Sequence, residues 1–141
     1  MTEHDRRVAL IADAGFYVGP ALSRLMAGRG HDLVLGDPAP ELVEELTAGG
    51  TQVEVVEGAR DLSEPDAAER LVAAGLGRFG RIDSATAFSG MIVVGRFLDS
   101  SVEDLHTVVK GCMEAPYRFL RAVVPVMVER GEGQVLVITS A

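Results

Sequence analysis

Five short β-like runs separated by stretches of helical periodicity constrain the fold of this chain more than any other feature. The first run, Val8-Ala9-Leu10-Ile11-Ala12, is continuously apolar, as expected of a strand covered on both faces. Ala21, Leu22, Leu25 and Met26 then repeat with helical spacing, and Gly28 and Gly30 supply a stop. Asp32-Leu33-Val34-Leu35-Gly36 predicts a second strand. Leu42, Val43 and Leu46 mark a short helix closing at Gly49-Gly50, and Gln52 to Val56 a third strand. Ser63 before Glu64-Pro65-Asp66 reads as an N-cap, and the helix it opens carries Ala68, Leu71, Val72, Leu76 and Phe79 on one side. Ile82 to Ala87 predicts the fourth strand. Ser101 with Asp104 opens the longest helix, whose apolar positions run from Val102 to Met127. Pro116 and Pro125 lie inside that pattern and predict a kink or break. Val135 to Ile138 is the fifth strand.

Alternation of this kind implies a parallel sheet with right-handed crossovers and helices on both faces. The fold class is therefore α/β, a Rossmann-like three-layer sandwich, here covering its first five strands. A length of 141 residues suits one such domain over residues 1–141. A formal charge of −8 opposes association with nucleic acid or an anionic membrane, which carry the same sign. No apolar stretch is long enough to span a bilayer, and the first residues do not read as a signal peptide. The single cysteine, Cys112, allows no internal disulfide and fits a reducing cytoplasm. His4, His31 and His106 are scattered and no cluster has metal-ligand spacing, so no metal is expected.

Ligands of such sheets sit outside the carboxyl ends of the strands, so the residues just after each strand carry the chemistry. Several segments there match known landmarks. Asp61-Leu62-Ser63-Glu64-Pro65 follows strand three, Phe79-Gly80-Arg81-Ile82-Asp83 leads into strand four, and Arg121 to Met127 with Val137-Ile138-Thr139-Ser140-Ala141 covers the central helix and strand five. In order and spacing the chain resembles the short-chain dehydrogenase/reductase superfamily over its whole length.

The first loop departs from that pattern. The oxidoreductases carry TGxxxGxG there, because glycines let the backbone approach a diphosphate. This chain reads Ala12-Asp13-Ala14-Gly15-Phe16-Tyr17-Val18-Gly19, with Asp13 and Tyr17 in place of the first two glycines. A carboxylate there repels a diphosphate and a phenol ring takes up its space, so no nicotinamide cofactor is expected. An aromatic two residues before the last glycine resembles the halohydrin dehalogenases, relatives that lost the nicotinamide. Tyr17 and Gly19 match that family's first motif, whose threonine is Ala12 here.

The resemblance implies a cofactor-independent lyase that interconverts vicinal haloalcohols and epoxides and opens epoxides with small anions. Ser140 is the expected catalytic residue, orienting the substrate oxygen, while a tyrosine beyond Ala141 moves the proton. Tyr17, Phe16, Gly19, Phe88 and Gly111 are expected around the halide or substrate. Ala87-Phe88-Ser89-Gly90 stands where the oxidoreductases carry Asn-Asn-Ala-Gly, and Cys112 where many carry a relay asparagine. Cys112 reads as an inward packing residue. A homotetramer built on the Val102–Met127 helix is also implied.

Two acids keep an NAD(P)-dependent short-chain dehydrogenase/reductase open as the alternative. Asp37, ending strand two, is where such a domain holds a ribose hydroxyl, and Asp61 is where it meets adenine. A non-catalytic binding or assembly piece is the third reading. It is motivated by the expectation that the domain is incomplete at its C-terminal end, with the completing residues beyond Ala141.

Overall fold

The computed structural model describes residues 5–139. Five strands, β1 (Val8–Ile11), β2 (Asp32–Gly36), β3 (Val53–Val56), β4 (Ser84–Ser89) and β5 (Gln134–Thr139), form one sheet in the order β3-β2-β1-β4-β5. Every neighbouring pair is parallel. The Rossmann-like arrangement expected from the alternation is thus present. Strand order reverses between β1 and β4, so the carboxyl ends of these two strands flank the switch point where such sheets open a crevice.

The continuous apolar run of β1 follows from its place at the centre. Val8, Leu10 and Ala12 point to one face, where they pack with Val34, Leu71, Ile82, Phe119 and Val123 under helices α3 (Ala67–Phe79) and α5 (Ala115–Arg130). Ala9 and Ile11 point to the other, packing with Leu33, Leu35, Leu42 and Leu46 under α1 (Gly19–Gly28) and α2 (Pro40–Ala48). Both faces are covered, and neither tolerates a polar residue in register.

Two local expectations are corrected. Ser63 does not cap a helix: its amide and hydroxyl both donate to Asp61 Oδ1, at 2.9 and 2.6 Å. The carboxylate thereby ties up the hydroxyl, and α3 starts after Asp66 instead. The single long helix is divided. Helix α4 (Val102–Val109) begins with the expected Ser101–Asp104 capping box, then passes through a π-turn, Lys110–Glu114, into α5. Pro116 has no N–H for the Cys112 carbonyl and its ring crowds that carbonyl, which the wider turn relieves. Pro125 lies within α5 without ending it.

Candidate functional site

A cleft of about 860 Å³ lies over the carboxyl edge of the sheet, at the switch point. Its lining comes from Asp13, Phe16 and Tyr17 after β1, Arg60 to Ser63 after β3, Phe88 to Ile92 at the end of β4, Thr107 of α4 with Lys110 and Gly111 of the π-turn, and Ile138-Thr139 of β5. A smaller recess lined by Asp37, Gly58, Arg60 and Asp61 adjoins it through Arg60 and Asp61. Of the residues expected from the sequence, Phe16, Tyr17, Phe88 and Gly111 meet around this one cleft. Gly19 does not, because a Cβ there would collide with the Asp13 carbonyl behind the loop. Ser140 lies outside the described residues, although Thr139 before it lines the cleft.

The loop after β1 behaves differently from the expectation. Tyr17 has φ +54°, the left-handed conformation that glycine adopts freely and a side chain adopts at a cost of about 1 kcal/mol. The loop thus holds at Tyr17 a backbone conformation that suits glycine. The Tyr17 ring is 65% exposed and rests edge-on against Phe88, with centroids 6.2 Å apart, while Phe16 tilts against it at 6.3 Å. Both rings line the rim and remain largely open to water. The Gly19 amide donates to the Phe16 carbonyl at 2.9 Å, and no hydrogen bond among the described residues engages the amides of Tyr17 and Val18. They sit at the N-terminus of α1, where orphan amides and the helix dipole favour an anion.

Asp13 is not a bare charge. Its Oδ2 lies 3.2 Å from Arg60 Nε, and its Oδ1 accepts the Gly15 amide at 3.2 Å. Burial pushes the Asp13 carboxyl above its ordinary range. Arg60 and the Gly15 amide oppose that rise, and the charge of Asp37 adds to it. Arg60 had no signal in the sequence, since it lies far along the chain from Asp13 and only the β1–β2–β3 order brings them together. Asp37 also holds a left-handed backbone, φ +45°, and its two carboxylate oxygens accept the amides of Gly58 and Ala59 at 2.7 and 2.9 Å. These bonds pin the loop that carries Arg60 and Asp61.

Across the cleft, Gly111 allows the π-turn to press against the loop after β4, since a Cβ there would come 2.6 Å from Met91 Cβ. Cys112 is half-buried rather than fully inward. Its sulfur accepts the Met91 amide at 3.2 Å and donates to the Met91 carbonyl at 3.6 Å. The pair Gly111-Cys112 thus seats that loop. Among the described residues no group of three His, Cys, Asp or Glu side chains gathers as a metal site, and no helix is long and apolar enough to cross a membrane.

Comparison with known proteins agrees with this geometry. Residues 17–141 match the family model described as enoyl-(acyl carrier protein) reductase. An uncharacterized NAD-dependent oxidoreductase of Mycobacterium tuberculosis is 32% identical over 96% of this chain and 54% of its own length. Oxidoreductase UcpA of Salmonella typhimurium is 30% identical over 95% of this chain and 51% of its own. The chain thus spans about half the length of the curated relatives it matches. Among solved structures, a short-chain dehydrogenase/reductase from Burkholderia phymatum in complex with NAD superposes with TM-score 0.81 at 27% identity, over 97% of this chain and 50% of that one. An alcohol dehydrogenase from the archaeon Thermococcus sibiricus, complexed with 5-hydroxy-NADP, gives 0.82 at 28%, over 94% and 57%.

These relatives are oxidoreductases, which overturns the lyase reading and with it haloalcohol and epoxide chemistry, halide binding and the expected lack of a cofactor. The physical reason lies in the first loop. Asp13 does not simply repel a diphosphate, because Arg60 supplies the opposite charge beside it. The Tyr17 ring does not fill the cofactor's space, because its backbone takes up a conformation that suits glycine and its ring is turned to the rim.

Proposed function

Because this chain belongs to the short-chain dehydrogenase/reductase family, we propose that it forms the nucleotide-binding part of an NAD(P)-dependent oxidoreductase. The observation that carries this reading is the continuity of the cleft, which runs from Asp61 beside the Asp37 recess, over the N-terminus of α1, to Thr139. That course suits an extended ligand with a polar middle.

The residues present fit such a group. Asp37 uses one lone pair on each oxygen for a loop amide, and the remaining acceptor sites are available to ribose hydroxyls. Leu62 and Asp61 flank the adenine end. The exposed Arg60 guanidinium and the amides of Tyr17 and Val18 offer positive charge and donors to the diphosphate. At the other end Ser89, Gly90 and Met91 border the space for the reacting ring, on a loop seated by Cys112. When bound, the nicotinamide group supplies or accepts a hydride. Ser140, following Thr139, is the residue we assign to orienting the substrate oxygen. Phe88, Gly111 and the rim rings Phe16 and Tyr17 shape the substrate side and limit access of water.

We also propose that copies associate through α4, the π-turn and α5, which expose Val102, Leu105, Met113, Tyr117 and Val128. A monomer only, by sedimentation at micromolar concentration, would end that proposal. The nucleotide reading is tested by crystals grown with NAD⁺. Density for the diphosphate is expected beside Arg60 at the start of α1. An ordered nucleotide elsewhere on the molecule, with this cleft empty, would refute it.

A further inference from the structure

In this family the first-loop glycines serve a diphosphate, yet this chain places a carboxylate at one of those positions. Asp13 lies on the cleft wall with only 12% of its side chain exposed, and Arg60 lies against it with 58% exposed. The two partners are therefore unequal: the acid is fixed and dry, the cation wet and free to turn. The groups facing Asp13 come from each neighbouring element. Its own loop gives the Gly15 amide, the end of β2 gives Asp37, the loop after β3 gives Arg60 and Asp61, and the end of β4 gives neutral Phe88 and Ser89. Lys110 stands on the far wall. Arg60 is thus the cation at this spot, set against the carboxylates of Asp13, Asp37 and Asp61.

A diphosphate entering the cleft brings two more negative charges to a place where one guanidinium already balances a buried acid. Two anions then compete for one cation, and in a partly dry site both cannot be left charged without a large penalty. Resting on the nucleotide reading above, we infer that Arg60 is a counter-charge shared between Asp13 and the diphosphate, and that Asp13 takes up one proton from solvent as the nucleotide binds. The proton goes onto the Asp13 carboxylate, Arg60 turns to the phosphate oxygens, and no bond to the nucleotide is made or broken. A neutral Asp13 keeps its carbonyl oxygen for the Gly15 amide, so the loop holds its shape. Burial already biases Asp13 toward the protonated form.

The sign of the effect follows from linkage. Binding that takes up a proton weakens as pH rises, from the value at which free Asp13 ionises up to the higher value at which it ionises with nucleotide bound. Within that window the Kd for NAD⁺ rises up to about tenfold per pH unit. Above and below it the affinity is flat. The diphosphate of NAD⁺ stays ionised throughout, so the slope reports the protein.

Isothermal titration of NAD⁺ into the protein, in buffers of different ionisation enthalpy between about pH 5 and pH 8, counts the protons directly. The wild type should take up a substantial fraction of one proton. Asp13→Asn, which keeps the amide acceptor without the charge, should take up none and bind with a pH-independent Kd, tighter than wild type at the upper end. Arg60→Gln should weaken binding about tenfold or more, and Arg60→Lys should recover part of the loss. Circular dichroism melts establish that each variant is folded. Proton uptake unchanged in Asp13→Asn, or affinity unchanged in Arg60→Gln, overturns the inference while leaving nucleotide binding intact. No heat of binding from any variant at any pH overturns the nucleotide reading and this inference together.

Discussion

Tyr17 shows how a single residue can mislead when only its side chain is considered. Its ring suggests an obstacle, whereas its backbone, at φ +54°, carries the information. A sequence gives no φ angle, and a tyrosine in the left-handed region is uncommon enough that none was expected. Asp13 misled for a different reason. Its charge was plain in the sequence, but its partner Arg60 was not, because the ion pair exists only once β1 and β3 are set two strands apart. Phe16, Phe88 and Gly111 were legible as cleft residues because each follows a strand or interrupts a helix, positions that the fold class itself marks. Tyr17→Gly should relieve the strain of the left-handed backbone at this position. The expected gain is about 1 kcal/mol, or about 2–4 °C in Tm, with tighter NADH binding. A lower Tm together with weaker binding would mean that the ring contributes packing that its exposure does not reveal.

Among the elements, strands and helices were read closely where periodicity or capping was local. The Ser101–Asp104 box is an example, since both partners lie within one turn. The division between α4 and α5 was less legible: proline content forecasts a break, but not that it takes the form of a π-turn just before Pro116. In the sequence Asp83 is only part of a landmark, yet in the fold it joins three elements. Its carboxylate accepts the Val8 amide at the start of β1, Arg81 before β4, and Arg130 at the end of α5. Burial raises the Asp83 carboxyl, but the bonds from Arg81, Val8 and Arg130 outweigh burial and hold it below the usual range. A carboxyl lowered by folding stabilises the protein above its unfolded value, and that stability is lost as pH falls toward the folded one. Asp83→Asn should therefore cost about 2–3 kcal/mol at neutral pH and less below about pH 4. Urea titrations at the two pH values check this, and an equal loss at both would contradict the assignment.

For the molecule as a whole, the parallel sheet with both faces covered was legible from five β-like runs and the helices between them. The cleft at the β1–β4 switch follows from strand order alone. Function was less legible, because the departures in the first loop pointed away from a nucleotide and the compensating groups came from distant loops. Fluorescence titration of the protein with NADH tests the central claim most directly. Saturable binding at micromolar concentration, abolished by competing NAD⁺ and weakened by Arg60→Gln, is the expected result. A folded protein whose addition leaves NADH emission unchanged up to millimolar concentration would contradict it.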